Sequence, residues 1–251
     1  MNTPCIRPDW PAPANVIALT TLRRGGESLP PFSSFNLAAH VGDDDAAVQA
    51  NRVKLARLLP AGSRVQWLTQ VHGTDVANAA AACEGVVADA SWSRSPGCAC
   101  AVLTADCLPV LFCSRAGDAV AAAHAGWRGL LGGVLEHTVL AMGLEPGQIM
   151  AWLGPAIGPA AFEVGPEVRA AFLGAAPPRQ QANTDACFVA SAARPDHYLA
   201  DLYALARLRL ADLGLGGVFG GGFCTFSDDD RFFSYRRDGR TGRMASLILL
   251  R

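Results

Sequence analysis

The apolar segment at residues 104–112, TADCLPVLF, contains an acid and a thiol side by side, Asp106 and Cys107. A buried strand normally carries neither group, because an ionised side chain is costly to remove from water. Carboxylates and thiolates serve in proteins as proton-transfer groups, nucleophiles and metal ligands. We therefore interpret this pair as part of a chemical site.

A predicted β-hairpin brings a histidine to Cys107. Residues 108–115 and 118–125 are both strand-like, and the Ala-Gly pair between them supplies a two-residue turn. This register places Pro109 opposite His124, so Cys107 lies on the same face as His124, one diagonal step away. Diagonal neighbours are about 7–8 Å apart, which is close enough to share a metal ion or a proton. The hairpin therefore predicts one site for Cys107 and His124.

A second histidine, His72 in QVHG, precedes a glycine at the end of a predicted strand over residues 63–73. A thiolate and two imidazoles suit zinc or copper, and three protein ligands leave a fourth position open for water. The spacing matches no short zinc-finger pattern, so a second interpretation stays open. In that interpretation His124 activates Cys107 as the nucleophile of an amide or acyl hydrolase, and Asp106 or His72 orients the imidazole.

Helices and short strands must position these groups. Apolar residues at helical spacing predict helices at 44–59, 130–144 and 198–215. Residues 177–197 are predicted to form a long surface loop, and Gly and Pro separate short strands elsewhere. No shift in composition divides the chain. The pattern indicates an α+β fold, organised as a single domain over residues 1–251, with sheets at its centre.

The composition argues against several classes of protein. A net charge of -1 argues against a protein that binds nucleic acid through a positively charged surface. No apolar stretch approaches the roughly 18 residues of a membrane span, and no signal-peptide pattern is visible. The eight cysteines of this long chain are expected to be reduced thiols, as in the cytoplasm. Since Lys54 is the one lysine, recognition of anions is expected to depend mainly on arginine.

Six short motifs, in a fixed order over nearly the whole chain, resemble the laccase-domain family, formerly called multicopper polyphenol oxidases. Members of this family are described as purine nucleoside phosphorylases with adenosine deaminase and methylthioadenosine phosphorylase activity, or as peptidoglycan editing factors. The motifs are SSFNLAAHVGDD, QVHG, TADCLPVLF, AHAGWRGLLGG, LGPAIGPAAFEVG and FFSYRRDGRTGRMASLILL.

The resemblance implies a metal held by His72, Cys107 and His124, and we expect Zn²⁺, with copper possible. It implies layered mixed β-sheets flanked by helices. It also implies phosphorolysis of adenosine, inosine or methylthioadenosine to the free base and ribose 1-phosphate, together with deamination of adenosine. The partners are then small purine nucleosides and phosphate. Cys107, His124 and Asp106 are the expected catalytic residues, with Asp106 orienting an imidazole or accepting a proton.

Three alternative functions fit some of these residues. A Cys-His amide hydrolase would edit a peptidoglycan precursor, with Cys107 as its nucleophile. A copper-dependent polyphenol oxidase is the weaker alternative, because a true multicopper site needs more histidines than the five in this chain. A non-enzymatic binding module would need a structural zinc with a fourth ligand, which Asp106 or another cysteine would have to supply.

Candidate substrate-binding residues come from the other motifs. We expect four polar side chains of the N-terminal third, with hydroxyl, amide, imidazole and guanidinium groups, to lie near the metal. An arginine at the start of a helix is expected to bind phosphate. A glutamate is expected to contact the base or donate a proton. These residues are Ser34, Asn36, His40, Arg52, Arg128 and Glu163. Arg236 and Arg237 are expected instead to fix a C-terminal hairpin around Asp238 and Gly239.

Overall fold

The computed structural model describes residues 5–81 and 85–251, and their strands form three sheets. A five-stranded sheet contains Cys5–Ile6 (β1), Val16–Thr21 (β2), Arg64–Gln66 (β3), Cys98–Thr104 (β6) and Met244–Leu250 (β14). A six-stranded sheet contains Val76–Asn78 (β4), Ala90–Ser93 (β5), Leu108–Ser114 (β7), Val120–Ala125 (β8), Ile149–Leu153 (β9) and Gly217–Gly220 (β13). A small sheet contains Glu163–Val164 (β10), Phe188–Ala190 (β11) and Tyr198–Ala200 (β12).

The two larger sheets are mixed, as predicted. Their strand orders are β1-β2-β14-β6-β3 and β13-β9-β7-β8-β5-β4. The β3–β6, β4–β5 and β13–β9 pairs are parallel, and the other pairs of these two sheets are antiparallel. The small sheet, of order β10-β12-β11, is antiparallel.

Seven α-helices flank the sheets in the described part of the chain. They are Asp45–Ala56 (α1), Trp127–Gly132 (α2), Val134–Met142 (α3), Pro166–Ala175 (α4), Gln181–Asp185 (α5), Leu202–Asp212 (α6) and Tyr235–Asp238 (α7). Short 3-10 helices lie at Ala39–Val41, Ala79–Ala81, Pro146–Gln148 and Pro178–Gln180. None of the helices in the described ranges is both long and apolar enough to cross a bilayer.

The layers follow from the alternation of side chains along the strands. In β7, Val110 and Phe112 point to the face covered by α3 and α6, whereas Leu111 and Cys113 point to the five-stranded sheet. All four side chains are fully buried, which explains why β7 is a continuous apolar run. On the outer face of the five-stranded sheet, Leu55 of α1 packs in the same cluster as residues of β6 and β14. The α+β prediction with layered mixed sheets is confirmed.

Three predicted helices are present with corrected bounds. The side chain of Asp44 accepts a hydrogen bond from the N–H of Ala47, so α1 begins there within the predicted 44–59 segment. The predicted helix over 130–144 is two helices, divided at Gly133, whose φ of 99° is left-handed. The segment predicted as one helix over 198–215 begins as β12, and α6 starts after its N-cap residue Asp201.

Three other predictions about local structure are wrong. Residues 177–197 are not one loop, since they contain α5 and β11 as well as a 3-10 helix. The predicted strand over 63–73 is regular only in β3, and an isolated bridge joins Thr69 to Val87 beyond it. The predicted C-terminal hairpin at 238–239 is instead the end of α7, where the N–H of Gly239 donates to the carbonyl of Tyr235, and Ser234 caps the start of this helix.

Candidate metal centre

Three side chains meet where β7 begins and β8 ends. One ligand atom from each of His72, Cys107 and His124 lies within 4.8 Å of the other two. The Cys107 Sγ atom is 3.9 Å from the His72 Nε2 atom, against about 3.6 Å expected between a sulfur and a nitrogen on one tetrahedral zinc. Within residues 5–81 and 85–251 this is the one such group of His, Cys, Asp or Glu side chains. The donor set and its spacing fit a zinc or copper ion.

The hairpin register explains how two of these side chains meet. Pro109 pairs with His124, as predicted, and Leu108 pairs with Ala125. Cys107 therefore directly precedes the first paired residue of β7 and lies beside His124. His124 is buried, Cys107 is half-buried and His72 is exposed, so the cluster opens to solvent on the His72 side.

A buried carboxylate, Asp89, organises both histidines. Its Oδ1 atom lies 2.7 Å from the Nδ1 atom of His124, and its side chain is fully buried. It also accepts the backbone N–H groups of Val71, His72 and Gly73. These three bonds hold His72 in a left-handed conformation, with φ of 61°, that is uncommon for a residue other than glycine. The bond to Nδ1 leaves the other ring nitrogen of His124 free to bind metal.

Asp89 was not predicted. It lies in the short segment Ala88-Asp89-Ala90, at the start of β5, which pairs antiparallel with β8. An acid between small apolar residues was the available signal. Asp89 is fully buried, and removal from water raises the pKa of its carboxyl. The hydrogen bonds from His124, Gly73 and Val71 outweigh that effect and lower the pKa.

Gly126 makes room for the ligands. A Cβ atom at this position would lie 2.9 Å from the Cδ2 atom of His72 and 3.0 Å from the Cys107 Sγ atom. Its own backbone is ordinary, with φ of -61°. The glycine is therefore required by the close approach of two ligand side chains and not by backbone geometry.

The electrostatics of the cluster favour a thiolate. Burial raises the pKa of the Cys107 thiol, but the charge and hydrogen bond of His124, aided by His72, lower it to about 6. Burial lowers the pKa of His124, but the charges and hydrogen bonds of Cys107 and Asp89 raise it to about 9. Without a metal, the two groups therefore form a thiolate-imidazolium pair near neutral pH. A thiolate is the protonation state that a metal ion requires.

Asp106 does not orient an imidazole, so that prediction is wrong. Its Oδ1 atom accepts a 2.6 Å hydrogen bond from the hydroxyl of Thr225, and its Oδ2 atom accepts a 2.6 Å bond from the backbone N–H of Arg236. The backbone of Asp106 is left-handed, with φ of 92°. Asp89 has the orienting role instead. The segment that follows Thr225 and the helix α7 are thereby fixed beside Cys107.

Asn36 has a structural role, which corrects its predicted contact with substrate. Its side chain is fully buried. The amide oxygen accepts from the N–H groups of Ala38 and Arg243, and the amide nitrogen donates to Ala38 and Asp43. Ser34 lies beside it, where its hydroxyl accepts the N–H of Gly26. Both residues shape the loop that leads to His40.

His40 and Arg52 lie together with an arginine that was not predicted, Arg243. Burial lowers the pKa of His40, and the positive charges of Arg243 and Arg52 lower it further. Arg243 in turn interacts with the charges of Cys107 and Asp106. Arg243 therefore links the predicted N-terminal residues to the metal-ligand cluster.

The two remaining candidates lie outside the ligand cluster. Arg128 is at the start of α2, as predicted, where it is exposed and its guanidinium lies 4.3 Å from the ring of Trp127. The carboxylate of Glu163 accepts from the hydroxyl of Ser191 and pairs with Arg194 at 3.3 Å. Its backbone carbonyl accepts from Arg236, the residue whose N–H binds Asp106.

No fourth metal ligand completes this cluster in the described part of the chain. The seven described cysteines are free thiols, and Cys83 lies outside the described residues. The Cys100 and Cys113 thiols have their pKa raised to about 12 by burial. A closed structural zinc site is therefore not formed here.

Comparisons with known proteins agree over the whole chain. Residues 17–251 match the family model described as multi-copper polyphenol oxidoreductase laccase. A protein of Pseudomonas aeruginosa named purine nucleoside phosphorylase is 56% identical over 245 residues, which cover 98% of each chain. The protein named purine nucleoside phosphorylase YfiH of Escherichia coli is 53% identical over 246 residues, again covering 98% of each.

Two solved structures have the same fold. A Neisseria meningitidis protein is 53% identical, with a TM-score of 0.92, and the match covers 100% of this chain and 99% of that one. YlmD from Geobacillus stearothermophilus is 33% identical, with a TM-score of 0.88, and the match covers 98% and 96%. The chain therefore belongs to the multi-copper polyphenol oxidoreductase laccase family, by sequence and by fold.

Proposed function

We propose that this protein is a zinc-dependent purine nucleoside enzyme. It cleaves adenosine, inosine and methylthioadenosine with phosphate to the free base and a ribose 1-phosphate, and it deaminates adenosine. The names of the relatives from P. aeruginosa and E. coli support the nucleoside and phosphate as substrates. The observation that carries the proposal is the convergence of His72, Cys107 and His124 on one open position, with His124 oriented by Asp89.

A zinc ion held by these three side chains would act as a Lewis acid in a site that stays open to substrate. Neither reaction changes an oxidation state, so a metal without redox chemistry is sufficient. The same donors would bind copper, which competes well for such sites.

The residues around the ligands have separate tasks. Asp89 fixes the ring of His124, and the Thr225 and Arg236 groups fix the carboxylate of Asp106. In deamination, water adds to the purine carbon and ammonia leaves, and Asp106 accepts the proton of the attacking water. In phosphorolysis, an oxygen of hydrogen phosphate bonds to the ribose carbon as the bond to the base breaks, and the base leaves with the proton that the phosphate loses.

Tyr235 is suited to contact the base. Its ring is exposed, although the next residue, Arg236, is bonded to Asp106 through its N–H. A planar purine stacks well on an aromatic face of this kind.

We assign the whole chain, residues 1–251, to one catalytic domain of a cytoplasmic enzyme, in keeping with its free thiols.

One observation favours a second candidate, a cysteine amide hydrolase that edits a peptidoglycan precursor. Asp89, His124 and Cys107 form a chain of carboxylate, imidazole and thiol with the thiolate favoured. This mechanism has no use for His72, whose Nε2 atom nevertheless lies 3.9 Å from the thiol. That second imidazole is the reason we prefer the metal.

Product analysis tests the proposed function. Zinc-loaded protein is incubated with adenosine, with and without inorganic phosphate, and the products are separated by liquid chromatography. We expect inosine in both reactions, and adenine, hypoxanthine and ribose 1-phosphate in the reaction with phosphate. Unchanged adenosine in both reactions would overturn the proposal. Release of an amino acid from a cell-wall precursor by the same protein would favour the hydrolase.

A further inference from the structure

Two arginines and a histidine form a cluster beside the ligand site, at the start of β14 in the five-stranded sheet. Arg243 immediately precedes β14, whose first residue, Met244, pairs with Thr104 of β6. Continuing that antiparallel register by one residue places Arg243 beside Ala105, next to Asp106. The arginine is thus fixed by sheet pairing at the start of the segment that carries Cys107.

Arg52 and His40 approach the same place from the N-terminal third. The backbone carbonyl of Arg243 accepts the N–H of Leu37 at 3.3 Å, and the Nε atom of Arg52 donates to the carbonyl of Leu37 at 3.1 Å. His40 follows three residues later, in the 3-10 helix Ala39–Val41. The segment 37–40 therefore joins the backbone of Arg243 to the side chain of Arg52 and carries His40, on which the charges of both arginines act.

In the described ranges neither arginine of the cluster is paired directly with a carboxylate, although Arg243 interacts at longer range with the charges of Cys107 and Asp106. Over residues 5–81 and 85–251, neither Arg243 nor Arg52 has an ion pair within 4.0 Å, whereas Arg169 and Arg209 each pair with an acid. The Nη1 atom of Arg243 donates to two backbone carbonyls, and its Nη2 and Nε atoms have no hydrogen bond within those ranges. The guanidinium of Arg52 stacks on the ring of Trp67 at 4.4 Å and donates through Nε alone, so its two Nη groups have no hydrogen bond within the same ranges. Free, partly buried guanidinium groups are good ligands for phosphate oxygens.

We propose that Arg243, Arg52 and His40 form the subsite that binds inorganic phosphate next to the metal ligands. This inference rests on the proposed function, which needs phosphate as the nucleophile. It assigns that role to the start of β14 and not to Arg128, which is exposed on α2 outside the ligand cluster. The guanidinium of Arg243 also lies 5.8 Å from the ring of Tyr235, so phosphate bound there would be close to a base on that ring. Burial, and then the positive charges of Arg243 and Arg52, lower the pKa of His40, so it joins the subsite as a neutral imidazole.

Phosphate titration tests the subsite without relying on turnover. Isothermal calorimetry with inorganic phosphate compares zinc-loaded wild type with Arg243→Met and Arg52→Met. Arg179→Met is the matched control, because Arg179 is exposed and pairs with Asp212 at the end of α6. We expect the phosphate Kd to rise at least tenfold in the first two variants and to stay unchanged in the control. Arg243→Lys is expected to recover part of the affinity, since lysine keeps the charge but not the bidentate geometry.

Kinetics add a second readout. In phosphorolysis we expect the KM for phosphate to rise at least tenfold in Arg243→Met and Arg52→Met, with a smaller change in the KM for the nucleoside. The ratio of phosphorolysis to deamination is expected to fall, because deamination uses water. Zinc content and circular dichroism establish that each variant is folded. If Arg243→Met does not fold, the phosphate affinity of Arg52→Met tests the subsite.

Wild-type phosphate affinity in both Arg243→Met and Arg52→Met would overturn the subsite. Loss of affinity in Arg128→Met alone would also overturn it and would place the anion at the start of α2. If the wild type forms no ribose 1-phosphate from any nucleoside, the proposed function fails. The calorimetric titration still supports or overturns phosphate binding by Arg243 in that case.

Discussion

The Oδ1 atom of Asp89 lies 2.7 Å from the Nδ1 atom of His124, and the same carboxylate accepts the N–H of His72. A single buried acid thus positions two of the three candidate metal ligands. It fixes the ring of one histidine directly and the backbone of the other through a turn. The site is therefore organised before any ligand binds, by hydrogen bonds that belong to the fold.

Replacing Asp89 by asparagine should weaken both functions of that acid. We expect Asp89→Asn to lower zinc affinity by about 10–100-fold, because the imidazole loses its charged partner. The free energy of unfolding should fall by about 1–3 kcal/mol, because a buried, charged acceptor of hydrogen bonds is lost. Competition with a zinc chelator measures the affinity, and urea denaturation measures the stability. Wild-type zinc affinity in a stable variant would show that Asp89 does not position His124 for metal.

Cys107 should be the most reactive thiol of the metal-free protein. Its pKa of about 6 means that the thiolate predominates above that pH, whereas Cys100 and Cys113, with pKa values of about 12, stay protonated. We expect iodoacetamide to alkylate Cys107 first at pH 7, with a rate that reaches half its maximum near pH 6. Bound zinc should protect it. Mass spectrometry identifies the site, and a half-maximum above pH 8 would contradict the thiolate-imidazolium pair.

Gly126→Ala should damage the site with little effect on the backbone. The new Cβ would lie 2.9 Å from His72 and 3.0 Å from the thiol of Cys107, so the ligands must separate. We expect zinc affinity to fall at least tenfold. Gly174→Ala is the control, because a Cβ atom there meets nothing within 4 Å in the helix α4, where alanine should stabilise by about 0.5–1 kcal/mol. Equal zinc affinity in the two variants would contradict the close approach at Gly126.

The ligand cluster was accessible from the sequence because local patterns determine it. The predicted register is confirmed and puts Cys107 beside His124, although the connection is longer than the predicted two-residue turn, since β7 ends at Ser114 and β8 begins at Val120. The helices were found by periodicity, but their ends depended on single residues such as Gly133 and Asp201, which interrupt the apolar pattern. Periodicity describes which face is apolar and carries little information about where a turn begins.

The residues that support the ligands were harder to predict, because sheet pairing over long separations brings them in. Asp89 reaches His124 through the pairing of β5 with β8, 35 residues apart in the chain. Arg243 reaches the Asp106 segment through the pairing of β14 with β6. Asn36 has a side chain of the kind that often contacts ligands. In the structure it is buried, and its amide forms hydrogen bonds with the backbone. A single sequence does not reveal which polar groups will be buried.

The separate roles of the two histidines distinguish a metal enzyme from a cysteine hydrolase. His72→Ala should lower zinc content and nucleoside turnover as severely as Cys107→Ala or His124→Ala, because each removes one of three ligands. In a hydrolase, His124 alone activates the thiol, and His72→Ala should be mild. Zinc content by atomic emission, measured beside turnover of adenosine for each variant, makes the comparison.

The most direct measurement is adenosine turnover before and after removal of the metal. The protein is stripped with a chelator, assayed with and without phosphate, and then titrated with zinc while intact mass is recorded. Activity is predicted to disappear on stripping and to return in proportion to zinc up to one ion per chain, with Cys107 unmodified throughout turnover. Full activity in the zinc-free protein, or an acyl group on Cys107 during turnover, would contradict a metal centre at His72, Cys107 and His124.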